Sequence, residues 1–228
     1  MAAKKSPPPA IDPEAVRSAL VAHFRDAADP VRAKSMQAYM KTTMAFWGVS
    51  NGAVRKICRE VFKQHPVTTK QDWLAVAQHL WRKADHREEW YAAMEWTGLR
   101  TARPWQQPDV LPLYEEMIVD SSWWDTVDAI AAHRVGTLLK NDPKAMKPIL
   151  RRWSKDEQLW KQRAAILSQL TFKQDTDLDL LFATCCPRSS ARSSGCARPS
   201  AGRSARRPRT ARRRCSPSCA LTRTSSAA

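Results

Sequence analysis

The stretch from Asp120 to Leu139, DSSWWDTVDAIAAHRVGTLL, places two tryptophans and three carboxylates in its first nine residues and then becomes an apolar run. On a helical wheel at about 100° per residue, Trp123, Trp124, Val127, Ile130, Ala131, Val135, Leu138 and Leu139 gather on one broad arc. That is the period of an amphipathic helix. Asp128 falls inside the arc between Val135 and Leu139, with Trp124 one turn before it at the i,i+4 spacing that brings side chains together. Asp125 points elsewhere and reads as an ordinary solvated or capping acid.

A second segment repeats the anomaly with opposite sign. In EQLWKQRAAILSQL, residues 157–170, Leu159, Trp160, Ile166, Leu167 and Leu170 share an arc with Arg163 at its middle. Burying an unpaired charge is costly, so each residue needs a partner, and each could serve the other. The simplest reading is a structural Asp128–Arg163 ion pair that holds two repeats in register. Such a pair does not by itself require Trp124 beside the carboxylate.

Around these segments, the body of the chain from residue 11 to 185 reads as about ten amphipathic helices spaced roughly 15 to 20 residues apart, without a strand pattern between them. Several connections carry a capping residue or proline: Ala28-Asp-Pro30, His65-Pro-Val-Thr-Thr69, Gln107-Pro-Asp109 and Asn141-Asp-Pro143. Six glycines against ten tryptophans also favours helices, because β-rich folds use glycine at turns and bulges. The expected fold is all-α, a HEAT-like or armadillo-like helical-repeat solenoid. Most of the tryptophans, including Trp73, Trp81, Trp90 and Trp153, read as packing residues.

The ends differ from the body. Residues 1–10 form a Pro/Lys leader expected to be disordered. Residues 186–228 form a low-complexity tail with eleven arginines and no acid. The chain carries 38 basic and 22 acidic residues, a net +16; without the tail, 27 basic residues face 22 acids, leaving +5. Two readings of the tail stand: a basic arm that grips nucleic acid, or a G/C-rich gene translated in a shifted frame. Sequencing the coding DNA separates them.

No run approaches the roughly 18 apolar residues of a spanning helix, and the start has no apolar signal region. A cytoplasmic setting is expected. Of the six cysteines Cys58 stands apart, the other five lie at or beyond the start of the tail, and no histidine follows His133, so neither a disulfide framework nor a zinc site is indicated. GxxxxGK[ST], GxGxxG and HExxH are absent from the sequence.

An aromatic ring beside a carboxylate is a receptor for a cation. Purines alkylated at N3 or N7 are cations embedded in a polyanion that a basic protein attracts. Their charge makes the base a good leaving group, so a catalyst has chiefly to stabilise positive charge developing on the sugar and to help position water, both within reach of an anionic aspartate.

Tyr39-Met-Lys41, Ser122-Trp-Trp-Asp-Thr-Val-Asp128 and Trp160-Lys-Gln-Arg-Ala-Ala-Ile-Leu167, in this order and spacing, resemble the AlkD family of DNA alkylation repair glycosylases. The resemblance runs from about Val16 to Phe182. It implies a solenoid with a concave, basic DNA-binding groove and hydrolysis of the N-glycosidic bond of 3-methyladenine and 7-methylguanine in duplex DNA. Neither metal nor cofactor is implied, and the protein is expected to act as a monomer. Asp128 matches the catalytic aspartate, Trp124 a tryptophan contacting the deoxyribose, and Arg163 an arginine at the same site. Tyr39 matches a groove aromatic, with Lys41 and Trp123 as further DNA contacts. Lys140, Lys144, Lys147, Arg151, Arg152 and Lys173 are candidate phosphate contacts. The family works on a lesion left in the stack, whereas most base-processing enzymes flip the target. Where it continues with helices carrying another active-site tryptophan, this sequence has the arginine-rich tail. A non-catalytic DNA-binding solenoid is the alternative, and a protein-interaction scaffold the third reading.

Overall fold

A computed structural model describes residues 10–186. The leader and the arginine-rich tail, with the question of its reading frame, lie outside the described residues except for Ala10 and Cys186. The chain runs through α1 (Pro13–Asp26), α2 (Pro30–Met40), α3 (Asn51–Gln64), α4 (Lys70–Arg82) and α5 (Arg87–Thr97). Two 3₁₀ turns, Arg100–Trp105 and Pro108–Val110, lead into α6 (Leu111–Ser121). Next comes α7 (Trp124–Ile130), which continues through a π-turn at Ala131–Val135 into α8 (Gly136–Asn141) as one rod. After it come α9 (Pro143–Trp153), α10 (Leu159–Leu167), a 3₁₀ turn at Lys173–Asp175, and α11 (Leu178–Cys185). Among the described residues the strand-like contact is a lone bridge between Ala45 and His86, and no helix is long and apolar enough to cross a membrane.

The helix starts follow the punctuation in the sequence. Asp29 accepts bonds from the Val31 and Arg32 amides with Pro30 at the first helical position, and Asp142 caps α9 ahead of Pro143 in the same manner. Thr69 caps α4. Gln107-Pro-Asp109 instead forms a 3₁₀ turn before α6 begins.

Short connections turn the chain back so that α4 packs on α5, α6 on α7, and α9 on α10. Arginine contacts then link α3, α5, α7 and α10 in succession. Arg55 of α3 meets Glu95 of α5 at 3.4 Å, Arg87 of α5 binds Asp125 of α7, and Arg163 of α10 binds Asp128 of α7. This is the neighbour-to-neighbour stacking of a helical-repeat solenoid.

Tryptophans fill the interior. The indole N–H of Trp73 donates to the Trp96 carbonyl at 3.3 Å, and Trp96 returns the bond to Trp73 at 3.0 Å, stapling α4 to α5. Trp81 and Trp90 stack with centroids 4.8 Å apart, and Trp153 is buried. On the α7–α8 rod, Val127, Ile130, Ala131, Val135, Leu138 and Leu139 are buried, as the wheel requires, but Trp124 is not. On α10 the wheel is only partly right: Trp160 and Leu167 of the arc pack against the core, but Ala164 and Ala165 are the buried residues, and Leu159, Ile166 and, beyond the helix, Leu170 are exposed. The small residues let α10 lie close to its neighbours. Close approach recurs at Gly136, where a Cβ would stand 2.5 Å from the Ser168 carbonyl oxygen.

Two stability measurements follow. Trp73→Ala is expected to lower unfolding free energy by about 3–5 kcal/mol in urea melts, with Trp73→Phe costing visibly less. Gly136→Ala must move the backbone after α10, so its melting temperature should fall, although alanine is the better helix former. Asp177, which caps α11, tests acid sensitivity: a hydrogen bond from Lys147, then one from the Leu180 amide, lower its carboxyl below the ordinary value. That contribution is present above the ordinary carboxylate range near ~4 and disappears as pH falls through the lowered value. Asp177→Asn should therefore flatten the acid limb of melting temperature against pH.

Candidate functional site

Asp128 stands at the fifth position of α7, where one side of the rod faces α10. Arg163 grips it through a two-pronged bond, Nε to Oδ1 at 2.5 Å and Nη2 to Oδ2 at 2.7 Å. The planar fork of guanidinium matches a carboxylate and fixes its plane as well as its position. Side-chain exposures of 30% for Asp128 and 39% for Arg163 show that the pair is reachable from solvent. The pair predicted from the two helices therefore forms, but at a surface and outside the apolar interior. Each carboxylate oxygen keeps acceptor capacity beyond its arginine bond. Hydrogen bonding to Asp128 raises the Arg163 guanidinium above its ordinary value, against the opposing effect of burial and with added help from the Asp128 charge.

Trp124 precedes Asp128 by four residues and is 44% exposed. Trp123, at the N-cap of α7, is half-buried, and its indole nitrogen is enclosed without a hydrogen-bond partner. Trp124 is thus the ring that α7 offers outward.

Asp125 is not the solvated acid its wheel position suggests. Arg87 Nη2 reaches its Oδ1 at 2.5 Å and the Tyr91 hydroxyl donates to Oδ2 at 2.7 Å. Arg87 is buried at the first turn of α5 and packs over the Trp90 ring. Burial, followed by the charge and hydrogen bond of Asp125, pushes the Tyr91 phenol up, so it remains a donor. Arg87 and Tyr91 gave no sequence signal, because Arg87-Glu-Glu89 looks like a solvated helix start. Instead Glu88 accepts from the Trp47, Gly48 and Val49 amides, and Glu89 binds Arg17.

The remaining candidates do not converge on Asp128 through any described contact. Tyr39 is 76% exposed near the end of α2, and Lys41 follows it as the left-handed C-cap. Lys147 is bound to Asp177 at 2.7 Å, and Lys140 sits 4.5 Å from the Phe172 ring centroid. Lys144, Arg151, Arg152 and Lys173 are exposed without a carboxylate partner among the described residues. Among those residues no group of three or more His, Cys, Asp or Glu is placed to hold a metal.

Comparison with known proteins places this geometry in a family. A solved structure described as a predicted DNA alkylation repair enzyme from Enterococcus faecalis superposes with a TM-score of 0.61 at 21% identity. The match covers 73% of this chain and 76% of that one, a likeness in fold. No curated protein matches the sequence. The sequence model of the family described as DNA alkylation repair enzyme matches residues 20–192, which include both gripped aspartates and Arg163, and the chain belongs to that family.

Proposed function

We propose that the protein is a DNA glycosylase that hydrolyses the N-glycosidic bond of cationic N3- and N7-alkylated purines, such as 3-methyladenine and 7-methylguanine, in duplex DNA. The observation that carries this reading is a solvent-reachable carboxylate, locked by a two-pronged arginine, one turn from an outward-facing indole. Family membership supplies the class of DNA lesion.

In this reading Asp128 presents a fixed negative charge to the deoxyribose of the damaged nucleotide. As the bond from C1′ to the purine nitrogen lengthens, positive charge grows on the sugar and the leaving base takes the bonding electrons, neutralising its own charge. A preorganised anion stabilises that state more than the ground state, which lowers the barrier. Water adds to C1′ from the side that Asp128 can orient, and its proton leaves to solvent or the carboxylate. Trp124 stacks against the sugar and the cationic lesion. Arg163 is a positioning residue for Asp128 and lies where a backbone phosphate can meet its outer edge. Tyr39, Lys41 and Trp123 serve as duplex contacts, and the exposed cations of α9 and its flanks, with Lys140, Lys147 and Lys173, as weaker phosphate contacts.

The solvent-reachable ion pair also suits a non-catalytic DNA-binding protein, in which its role would be structural. Purine release from methylated duplex separates the two. Asp128→Asn keeps the shape and removes the charge, so release should fall by about 10²- to 10³-fold or more while duplex affinity changes little. Unchanged release would remove Asp128 from the chemistry, and salt-sensitive binding without release by the parent chain would favour the binding protein. Trp124→Ala should weaken release from cationic lesions while leaving binding of undamaged duplex nearly intact.

A further inference from the structure

Asp128 shares its rod with a second set of exposed polar groups. Trp124, Asp128 and His133 follow one another at steps of four and five residues. In an unbroken α-helix a five-residue step would rotate His133 by about 140° from Asp128, at about 100° per residue. The π-turn at Ala131–Val135 closes i→i+5 bonds and absorbs the additional residue. Ala132, which would otherwise follow Asp128 on its face, is accordingly buried, and His133 is exposed.

Beside His133 lies a cavity of about 220 Å³ between the end of α5, the 3₁₀ turn Arg100–Trp105 and the π-turn. Thr97, Arg103, Gln106, His133, Arg134 and Thr137 supply its polar lining, and no carboxylate contributes. A neighbouring cavity of about 290 Å³ shares His133 and Arg134 but includes Glu95 and Asp125, so its cations face acids of their own.

The cavity without a carboxylate in its lining is built to hold Arg134. Arg134 donates from Nε to Thr97 Oγ1 and from Nη2 to the Met94 carbonyl, both at 2.8 Å, and it meets no carboxylate at ion-pair distance among the described residues. A Cβ on Gly98 would stand 2.2 Å from Nη2, so glycine leaves the guanidinium its space. Behind it, Gln106 donates to the Thr97 carbonyl and accepts from the Tyr114 hydroxyl at 2.6 Å. Arg103 lines the cavity and Arg100 stands one 3₁₀ turn before it, a spacing that aligns side chains; both are exposed without a carboxylate partner among the described residues.

The geometry points to a phosphate-binding site for the DNA backbone, formed by Arg134 with His133, Arg103 and Arg100. This inference rests on the proposed function for the identity of the polymer. Five residues of the rod separate His133 from Asp128, about 7–8 Å at ~1.5 Å per residue. A strand with its damaged nucleotide at Asp128 then has a nearby phosphodiester within reach of this cavity. The guanidinium donors of Arg134 and Arg103 not already spent on the protein, with the His133 ring beside them and no carboxylate in the lining, suit a tetrahedral oxyanion.

The experiment compares the full chain with an Arg100→Gln, Arg103→Gln double variant. Both residues are exposed and unpaired, so the variant should fold, as far-UV circular dichroism will verify. Binding of an unmethylated duplex is followed by fluorescence anisotropy between 50 and 200 mM NaCl, and the His133 imidazole is followed by NMR during titration with inorganic phosphate. The site predicts a slope of log affinity against log salt shallower by about one to two in the variant. It also predicts a phosphate-dependent His133 shift in the parent chain that the variant weakens. An unchanged slope in a variant that still binds overturns the backbone site, and a phosphate shift beside that unchanged slope identifies a free-anion site instead. Absence of salt-sensitive duplex binding by the parent chain overturns the DNA reading as a whole. Neither measurement depends on base release, so the inference can fail while the glycosylase stands, and the reverse.

Discussion

Asp125 and Asp128 sit one turn apart on α7 and are held by arginines that arrive from opposite neighbours. Arg87 comes from α5 and Arg163 from α10, each with a bond of 2.5 Å. A helix gripped in this way has little freedom to roll or slide, because a carboxylate displaced toward one arginine leaves the other. Charge-assisted bonds of this length are short and geometrically demanding.

The two anchors differ in what they cost and in what they leave available. Arg87 is enclosed and has spent its charge on Asp125 and its face on Trp90, and its Nε has no partner. Removing Asp125 would strand a buried cation, an expensive loss. Arg163 and Asp128 remain solvent-reachable, where an ion pair contributes little to stability. Their geometry is well ordered even though folding gains little from it. The first pair is thus suited to structure and the second to chemistry, although both are arginine–aspartate pairs from the same turn of helix.

Much of this was legible in the residues. Helical periodicity, proline and capping residues located the helix starts, opposite charges on two apolar arcs pointed to the Asp128–Arg163 pair, and the order of SWWDTVD and WKQRAAIL pointed to the family. Other features were hidden for physical reasons. A wheel assigns the larger apolar arc of α10 to the interior, but close packing there selects Ala164 and Ala165. Asp125 lacked a visible partner because Arg87 is 38 residues away and begins a run that looks like a polar helix start. The π-turn shifts the phase of every residue after it, and a fixed period cannot register that shift. The cavity lined by Arg134 follows from the same shift together with contacts from α5 and the turn after it.

In the proposed reaction the charge of Asp128 acts on the sugar and Arg163 serves to aim it. The most direct test is a single-turnover cycle of purine release using Asp128→Asn, Arg163→Gln and the double variant, with thermal melts of all four proteins. The account predicts that Arg163→Gln is partly active, that Asp128→Asn is nearly inactive, and that the double variant is no better than Asp128→Asn, with melting temperatures differing little. Recovery of release in the double variant would contradict it, because only a structural pair is repaired by removing both of its charges.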